Sequence, residues 1–305
     1  MTNSTMANSS EFNEFRQLVL RKGRELYRDL EWRNTTDPYA VWVSEVMLQQ
    51  TQVCRVEGRW QRWLQRFPDY QSLAAADTVD VLDEWQGMGY NRRALSLQKA
   101  AQILVQRDLG FPSEIEDLIT LPGIGPATAA GIRSFAFNKH AMYLETNVRA
   151  VFLHELFPGA QKVPDKVLAP LVDQGCPSSY PLEKSIFGPE GIECDCPRTW
   201  YYALLDYGAY LKKIVPNPSR RSSTHTKQSK FEGSHRQKRA CTLRIFLDAT
   251  QSGMAAMTRE EVRDILSEME VAEGRKPVAF SEVDKVLSEL CCEGFLKEEE
   301  GFFKM

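Results

Sequence analysis

The chain has 305 residues, a net charge of −3, 26% charged residues and an ordinary hydrophobic fraction of 43%, which excludes global disorder. No apolar run is long enough to cross a membrane, and the N-terminus lacks the basic start and apolar core of a secretion signal, so we expect a cytoplasmic protein. The length suits two or three domains, and seven irregularly spaced cysteines indicate a reducing compartment.

Helical patterns dominate the chain from residue 11 to about residue 213. Apolar residues recur three and four positions apart, and short breaks containing Pro or Gly separate the patterns. No alternating strand pattern of any length lies between them. The sequence therefore predicts an all-α fold in which residues 1–213 form a domain of short helices joined by short loops.

The first unusual stretch is VWVSEVMLQQTQV, residues 41–53, which has the composition of a buried helix. Glu45 lies at the centre of this apolar segment, and an amide row that includes Gln50 ends it. An acid in such surroundings is costly unless it is neutral or paired. Glu45 is therefore a candidate for a chemical role.

A second stretch, WQGMGYNRRA, spans residues 85–94 and places an aromatic ring and cations on a tight, glycine-containing loop. A ring at this place, such as that of Tyr90, can wedge into a stack of nucleic-acid bases. Taken alone, Tyr90 and Trp85 are more often core residues. Both interpretations remain open for this stretch by itself.

The stretch LPGIGPATA, residues 121–129, lies between two helical patterns. Gly123 and Gly125 permit a tight turn, and the helix that follows offers unpaired backbone N–H groups at its start. Together they predict a backbone anion site that suits a DNA phosphate and ignores base sequence. A plain packing corner between two helices uses similar residues, and for this motif in isolation it is the favoured interpretation.

The stretch MYLETNVRAVF, residues 142–152, begins a helix with polar residues. An acid at a helix start usually serves as a cap and interacts with the helix dipole. Capping explains Thr146 and Asn147 better than Glu145, because Glu is a mediocre N-cap. Glu145 is therefore a second candidate for a chemical role.

Residues 214–239 change in composition to Pro, Asn, Ser, Thr, Gln, Lys and Arg, which predicts an irregular basic linker. Between Lys212 and Arg239 there are nine Lys and Arg residues against Glu232 alone, a net charge of +8 that leaves −11 for the remainder. Such a block is a plausible footprint for a phosphate backbone. A solvated linker explains the charge equally well.

Three more helical patterns follow, near 241–249, 258–270 and 281–293. Thr258 and Glu261 have the spacing of a capping box for the second of these helices. Apolar pairs on both sides of a charged, glycine-containing turn, at 295–296 and 302–303, predict a terminal hairpin. Residues 240–305 are therefore predicted to form a small winged-helix-like domain.

The order and spacing of DPYAVWVSEVMLQQTQV, WQGMGYNRRA, LPGIGPATA and LETNVRAV resemble the catalytic domain of the helix–hairpin–helix (HhH-GPD) DNA glycosylases, with most likeness to the MutY-type adenine DNA glycosylases. The likeness runs from about Leu30 to Leu211. It implies two helical lobes, with six helices over about 38–148 and a second lobe made of the N-terminal helix and 149–213. It also implies a partner, double-stranded DNA whose target nucleotide is flipped into a cleft.

By this resemblance, Glu45 is the acid that protonates adenine at N7, because apolar surroundings raise the pKa of a carboxyl group. Glu145 matches the carboxylate that faces the positive charge developing on the sugar. The implied base pocket and stack wedge comprise Gln50, Tyr90, Asn91, Ala127 and Asn147. The implied phosphate-binding hairpin comprises Leu121, Pro122, Gly123, Ile124, Gly125, Ala127 and Thr128. The candidate contacts to the DNA backbone are Arg92, Arg93, Arg220, Arg221, Lys227 and Lys230.

The chain departs from the family pattern at four places. Glu145 stands where the family has Asp, and Ala127 stands where relatives with strand-nicking activity have a Schiff-base Lys, which predicts a monofunctional enzyme. The segment after Leu211 lacks the cysteines that bind a [4Fe–4S] cluster in many relatives, so we expect neither cluster nor metal. Residues 240–305 are too short for the Nudix-like domain that reads 8-oxoguanine.

These observations predict a DNA glycosylase that removes adenine from A·G or A·8-oxoguanine mispairs. We expect it to act as a monomer and not to associate with a membrane. The first alternative is a mismatch glycosylase of the same fold that removes thymine, uracil or a damaged base, because Glu145, Asn91 and Ala127 can all reshape the pocket. The second alternative, a DNA-binding protein without catalysis, leaves the buried acid Glu45 without a purpose.

Overall fold

The computed structural model describes residues 9–182, 195–223, 230–254 and 256–305, and most of them are helical. The α-helices are α1 (Ser9–Glu25), α2 (Pro38–Met47), α3 (Val53–Val56), α4 (Arg59–Arg66), α5 (Tyr70–Ala75), α6 (Thr78–Glu84), α7 (Arg92–Arg107), α8 (Ile115–Leu118), α9 (Pro126–Phe137), α10 (Thr146–Glu155), α11 (Asp165–Gly175), α12 (Pro197–Ile214), α13 (His235–Gln251), α14 (Arg259–Ala272) and α15 (Phe280–Cys292). Short 3₁₀ helices span Glu31–Asn34 and Pro218–Arg221, and the strands are β1 (Met257–Thr258), β2 (Lys297–Glu299) and β3 (Phe302–Lys304). The predicted helical fold class is confirmed.

The chain divides into two compact units. The first contains residues 1–72 and 100–226, and the second contains 73–99 and 227–305. This division differs from the predicted one, because residues 73–99 group with the C-terminal part and not with the helices around them in sequence. The reason is that α13 packs against α6, a long-range contact that local patterns do not encode.

The core of the first unit is built by three helix pairs: α10 with α12, α1 with α12, and α2 with α9. Large aromatic residues fill the spaces between them, and Trp42, Phe152 and Trp200 are fully buried. The ring of Phe15 on α1 packs edge-on against Phe152 of α10, with 5.0 Å between ring centroids. Aromatic pairs of this kind contribute about 1 kcal/mol beyond the apolar area they bury.

A buried ion network links α12 to the segment before α2. Asp206 on α12 accepts hydrogen bonds from both terminal nitrogens of Arg33, at 2.7 and 2.8 Å, and one from Arg28 Nε at 2.5 Å. Arg33 and Asp206 are both only 2% exposed. Each of these buried charges depends on the other for its solvation.

Asp206→Ala is expected to destabilise the first unit by about 3–5 kcal/mol, because it leaves the buried guanidinium of Arg33 without its counter-charge. The measurement is the midpoint of urea unfolding. The matched control is Asp195→Ala, which removes an exposed partner of Arg16 and is expected to cost about 1 kcal/mol or less. Equal losses for the two variants would contradict the role of the buried network.

The segment predicted as a basic linker is in part ordered and packed. Pro218 and Ser219 are buried against α10, and Arg221 donates hydrogen bonds to the backbone carbonyls of Leu153 and Phe157 at the end of that helix. Arg221 therefore caps a helix C-terminus, and its assignment as a DNA contact stays a prediction. The physical reason is that carbonyls left without partners at a helix end attract a nearby cation.

The second unit contains the predicted helices and hairpin, with one addition. Strands β2 and β3 form the hairpin, and β1 adds to it in the order β1-β3-β2, with Met257 opposite Phe303. The capping box of Thr258 and Glu261 is present at the start of α14 and confirms that prediction. The winged-helix assignment of the whole unit stays a prediction.

Helix α13 begins inside the segment predicted as a linker. The side chain of Ser234 caps its first turn by accepting from Gln237 N, and basic residues follow at once. These cations pair with acids on α15, as in Lys238 with Glu282 (2.5 Å) and Arg239 with Glu289 (2.5 Å). Part of the basic block is thus neutralised within the unit, which the composition of the block alone did not indicate.

Candidate active site

Helix α2 carries Glu45 into the interior of the first unit. Asp37 caps the helix by accepting a hydrogen bond from Ala40 N at 2.7 Å, and Pro38 at the first position favours helix initiation. Eight of the ten residues of α2 are buried. The other two, Pro38 at the start of the helix and Glu45, are half-buried. The carboxyl group of Glu45 is enclosed by protein, as the sequence predicted.

Two residues from other elements define the place of this carboxyl group. Tyr143 Oη donates a hydrogen bond to Glu45 Oε2 at 3.1 Å. Helix α9 passes so close that a Cβ atom on Gly131 would lie 2.1 Å from the same oxygen. Only the hydrogen of a glycine fits at position 131, so α9 and Tyr143 together orient the acid.

Burial raises the pKa of Glu45 to about 8. The hydrogen bond from Tyr143 acts in the opposite direction, because it stabilises the charged form, and the negative charge of Glu145 adds a smaller upward contribution. Burial also raises the pKa of Tyr143 well above its ordinary value, so its phenol keeps its proton and stays a donor. Glu45 therefore holds a proton at neutral pH.

Glu45→Gln is expected to stabilise the protein more at pH 9 than at pH 5. The pKa of Glu45 is about 4.5 in the unfolded chain and about 8 in the fold, so the wild type loses stability as pH rises from about 4.5 to about 8. The amide has no such loss. Because one pKa unit corresponds to about 1.4 kcal/mol, the difference should reach a few kcal/mol.

Urea unfolding of both proteins at pH 5, 7 and 9 measures this effect. Glu14→Gln, at an exposed position of α1, is the matched control and should show no such pH dependence. A stability difference between wild type and Glu45→Gln that is the same at all three pH values would contradict the raised pKa.

Glu145 lies at the N-cap of α10 with extended backbone. One carboxylate oxygen accepts from Asn147 N at 2.5 Å and from Val148 N at 3.0 Å, and the other accepts from Thr146 Oγ1 at 3.0 Å. The side chain of Glu145 therefore caps α10, one of the two roles that the sequence allowed for it. The same hydrogen bonds hold an anion at the positive end of a helix.

Helix α12 supports the start of α10 through two residues one turn apart. A Cβ atom on Gly208 would lie 2.3 Å from the carbonyl oxygen of Asn147. The backbones of α12 and α10 are therefore in direct contact at this glycine. Lys212 Nζ donates to Asn147 Oδ1 at 2.8 Å and to Thr146 Oγ1 at 3.1 Å. Burial lowers the pKa of Lys212, and the charge of Glu145 opposes that shift.

Sequence reasoning missed Gly131, Tyr143, Gly208 and Lys212. Gly208 and Lys212 are four positions apart, so they share one helix face, and the helical pattern of 197–214 was visible. What no local pattern shows is which residues that face meets. Tyr143 lies in the stretch MYLETNVRAVF, but no local pattern marks it as a partner of Glu45.

The predicted hairpin forms the turn before α9. Leu121 and Ile124 are buried anchors, and Gly123 adopts φ +80° between them, a conformation that favours glycine. Gly125 is the N-cap of α9, and Pro126 follows at the first helical position. Gly123, Gly125 and Ala127 are exposed and Pro122 is half-buried, so the backbone of the turn and the first turn of α9 are open to an anion.

The side chain of Thr128, whose place in the phosphate-binding hairpin stays a prediction, is buried and accepts a hydrogen bond from Gln49 Nε2 at 2.9 Å. It thereby ties the hairpin to the end of α2. Gln50, the predicted stack residue, is exposed and has φ +54°. A non-glycine residue in this conformation is strained, and such strain is common at functional sites.

The predicted wedge lies in the second unit. Tyr90 is 42% exposed with φ +49°, and Asn91 accepts the backbone hydrogen bond of Ala94 at the start of α7. Arg93 lies over the rings of Trp85 and Tyr90, at 5.2 and 5.7 Å, and donates to Gly89 O. Burial lowers the pKa of Arg93 to about 10. Arg93 thus holds the loop together, and its assignment as a contact to the DNA backbone stays a prediction.

The remaining candidate contacts have different surroundings. Arg92 and Arg220 are exposed. Lys230 is exposed and pairs with Glu232 at 2.9 Å, and Lys227 lies outside the described residues. These cations stay predictions as DNA contacts.

No group of three or more His, Cys, Asp or Glu side chains within the described ranges is arranged to hold a metal ion. The stretch directly after α12, residues 215–223, contains no cysteine and packs through Pro218 and Ser219. A cluster that needs four thiolates does not fit these residues. In the part of the chain that the structure describes, no helix is long and apolar enough to span a membrane.

Residues 43–173 match the family model described as the HhH-GPD superfamily base excision DNA repair protein. The matched segment contains Glu45, the hairpin and Glu145. This stretch belongs to the HhH-GPD superfamily. The resemblance seen in the four sequence motifs is confirmed.

The curated relatives that this chain is similar to are adenine DNA glycosylases. That of Mycobacterium tuberculosis is 41% identical over 128 residues, which are 41% of this chain and 42% of the relative. That of Mus musculus is 40% identical over 153 residues, 47% of this chain and 30% of the relative, and that of Buchnera aphidicola is 39% identical over 127 residues, 41% and 36%. The chain spans less than half the length of these relatives.

Two solved structures of DNA-repair enzymes have a similar fold. A thermostable thymine-DNA glycosylase superposes with a TM-score of 0.57 at 20% identity, covering 71% of this chain and 92% of that one. A trapped endonuclease III–DNA covalent intermediate superposes with a TM-score of 0.50 at 18% identity, covering 67% and 88%. At these identities the likeness concerns the fold alone.

Proposed function

We propose that this protein is a DNA glycosylase of base excision repair that removes adenine from A·G or A·8-oxoguanine mispairs. The observation that carries the proposal is Glu45, an acid that burial keeps protonated at neutral pH, with the anionic helix cap Glu145 in the same unit. Two carboxyl groups with different environments are the usual equipment for breaking a glycosidic bond. The curated relatives carry the name of the same activity.

In the proposed reaction, Glu45 donates its proton to N7 of an extruded adenine. The C1′–N9 bond breaks and its electron pair leaves with the base, so positive charge develops on the sugar. The carboxylate of Glu145, held by the backbone of α10, stabilises that charge. Water then adds through oxygen to C1′ and gives a proton to Glu45, which restores the acid.

We propose that DNA is held by the hairpin at 121–128, whose exposed backbone suits a phosphate, and that Gln50 and Tyr90 act at the base stack. Asn147 and Ala127 are proposed to border the base pocket, and Asn91 is proposed to act beside the wedge residue Tyr90. The protein is proposed to act as a DNA-associated monomer. It is proposed to bind no cluster, because residues 215–240, which follow α12, contain no cysteine.

We propose a monofunctional enzyme that leaves an abasic site, because Ala127 has no amine at the position after the hairpin. Lys212 is the amine in contact with Thr146 and Asn147 beside Glu145, and both of these hydrogen bonds keep it engaged. Borohydride trapping with an abasic duplex should give no covalent adduct. An adduct that disappears in Lys212→Met would contradict the monofunctional proposal.

A second candidate activity is removal of thymine or uracil from mispairs by the same fold. Glu145 favours it, because its extra methylene relative to Asp moves the carboxylate and changes the space left for the base. Single-turnover excision on A·G, A·8-oxoguanine, T·G and U·G duplexes separates the candidates. Preferred cleavage of either adenine duplex supports the proposal, and preferred cleavage of T·G or U·G overturns it. A protein that only binds DNA would release no base from any of them.

A further inference from the structure

Helix α13 contacts the loop that carries Tyr90 within the second unit. Arg236, in the first turn of α13, donates a hydrogen bond from Nη1 to Tyr90 Oη at 3.0 Å. Near the other end of the helix, Gln251 Nε2 donates to Asp83 Oδ1 on α6 at 2.9 Å. One helix therefore holds both α6 and the loop that follows it.

Arg236 contacts a different part of the unit from the other basic residues at the start of α13. His235, Lys238 and Arg239 all reach carboxylates of α15, which fastens α13 to its own helical bundle. The guanidinium of Arg236 instead reaches the phenol of a residue 146 positions earlier in the chain. This hydrogen bond ties the start of α13 to the loop of Tyr90.

Tyr90 needs such support because its own loop does not provide a regular backbone. Its φ is +49°, and Gly87 and Gly89 also have positive φ, so three of four consecutive residues are outside helix or strand conformations. Arg93 lies over the ring, and Arg236 binds the hydroxyl. Two cations therefore hold the ring from different sides while it stays 42% exposed.

We propose that Arg236 is a positioning residue for Tyr90, so that the C-terminal helix α13 takes part in prying the target base out of the DNA stack. This inference rests on the proposed function. An aromatic wedge inserts against the resistance of stacked bases, which amounts to a few kcal/mol per step. A ring that is held at its hydroxyl loses less order when it inserts.

The test uses four variants of the full chain: Arg236→Ala, Arg236→Lys, Tyr90→Phe, and the double variant Arg236→Ala with Tyr90→Phe. Arg244→Ala is the matched control, since Arg244 lies on the same helix and is 69% exposed beside Asp248. Base extrusion is followed by 2-aminopurine fluorescence in a mispaired duplex. Excision is measured in single turnover on that mispair and on adenine in single-stranded DNA, where no stack must be opened.

Arg236→Ala is expected to slow extrusion and duplex excision about tenfold, the effect of about 1.4 kcal/mol, and to leave single-stranded excision and Arg244→Ala near the wild-type rate. Tyr90→Phe should give a similar loss, and the double variant should lose no more than either, because both remove the same hydrogen bond. Arg236→Lys should restore part of the rate.

The inference is overturned if Arg236→Ala matches Arg244→Ala, or if the losses of Arg236→Ala and Tyr90→Phe multiply in the double variant. If the rate losses multiply and the loss caused by Arg236→Ala becomes smaller as the salt concentration rises, Arg236 would instead contact a DNA phosphate directly. Should Arg236→Ala fail to fold, Arg236→Lys and Tyr90→Phe report on the same bond. A wild type that excises no base from any substrate refutes the proposed function itself, which is a separate result.

Discussion

Glu45→Gln is expected to lower the rate of adenine excision by about 10²–10⁴-fold, the usual effect of removing a general acid. The amide keeps the size of the side chain and can accept the hydrogen bond from Tyr143, but it has no proton to give to N7. The fold around α2 should persist, because the apolar walls and the space left by Gly131 are unchanged.

Single-turnover kinetics on an A·G duplex measures this loss, and gel-shift titration measures whether DNA binding persists. Glu14→Gln is the control, because it removes one negative charge from an exposed position of α1. A variant that excises adenine at more than a tenth of the wild-type rate would remove Glu45 from the mechanism. Loss of binding together with excision would point to misfolding instead, and the unfolding curves would show it.

The wild-type rate should also fall as pH rises through about 8, since the acid must carry its proton and burial places its pKa there. Tyr143→Phe should move this alkaline limb to higher pH, because the lost hydrogen bond had favoured the charged form. The same Glu45→Gln substitution that stops excision is predicted to stabilise the fold at high pH. Both the loss of activity and the gain in stability have one cause. Burial keeps the carboxyl group of Glu45 protonated, which provides the acid but costs stability at high pH.

The local chemistry of the site was predictable from the sequence, whereas the partners of each residue were not. An acid in VWVSEVMLQQTQV implies burial and a raised pKa, and LPGIGPATA implies an exposed turn before a helix; both hold in the structure. Yet Glu45 and Tyr143 are 98 positions apart. Such pairings follow from the packing of α2 on α9, which periodicity does not specify.

The partners of the basic residues between Lys212 and Arg239 could not be predicted from the sequence either. The charge of this segment suggested a linker or a phosphate footprint, but Lys238 and Arg239 meet acids of α15 about 50 positions later. Pairing removes the cost of ordering a charged segment and allows α13 to begin at His235. The grouping of residues 73–99 with the C-terminal unit likewise rests on contacts, among them Gln251 with Asp83, that only the fold brings together.

Glu145→Gln is expected to reduce excision by about 10²–10³-fold, the range found when one electrostatic contact to a transition state is removed. The amide oxygen can still accept from Asn147 N and Val148 N, so α10 keeps its cap and the change in stability should be small. Glu145→Ala removes charge and cap together, and should lose a further ~1 kcal/mol of stability. The charge of Glu145 also raises the pKa of Glu45, so the alkaline limb of Glu145→Gln should move to lower pH.

The matched control is Asp37→Asn, which neutralises another acidic N-cap of the same unit. If carboxylates at positions 37 and 145 served only as caps, both amide variants would keep their excision rates and differ little in unfolding midpoint. If Glu145 is catalytic, Glu145→Gln should lose excision activity while Asp37→Asn keeps it. Only the charge of Glu145 would then face the sugar as the bond to adenine breaks. Full activity in Glu145→Gln would therefore reduce this residue to a helix cap, and the positive charge on the sugar would need another source of stabilisation.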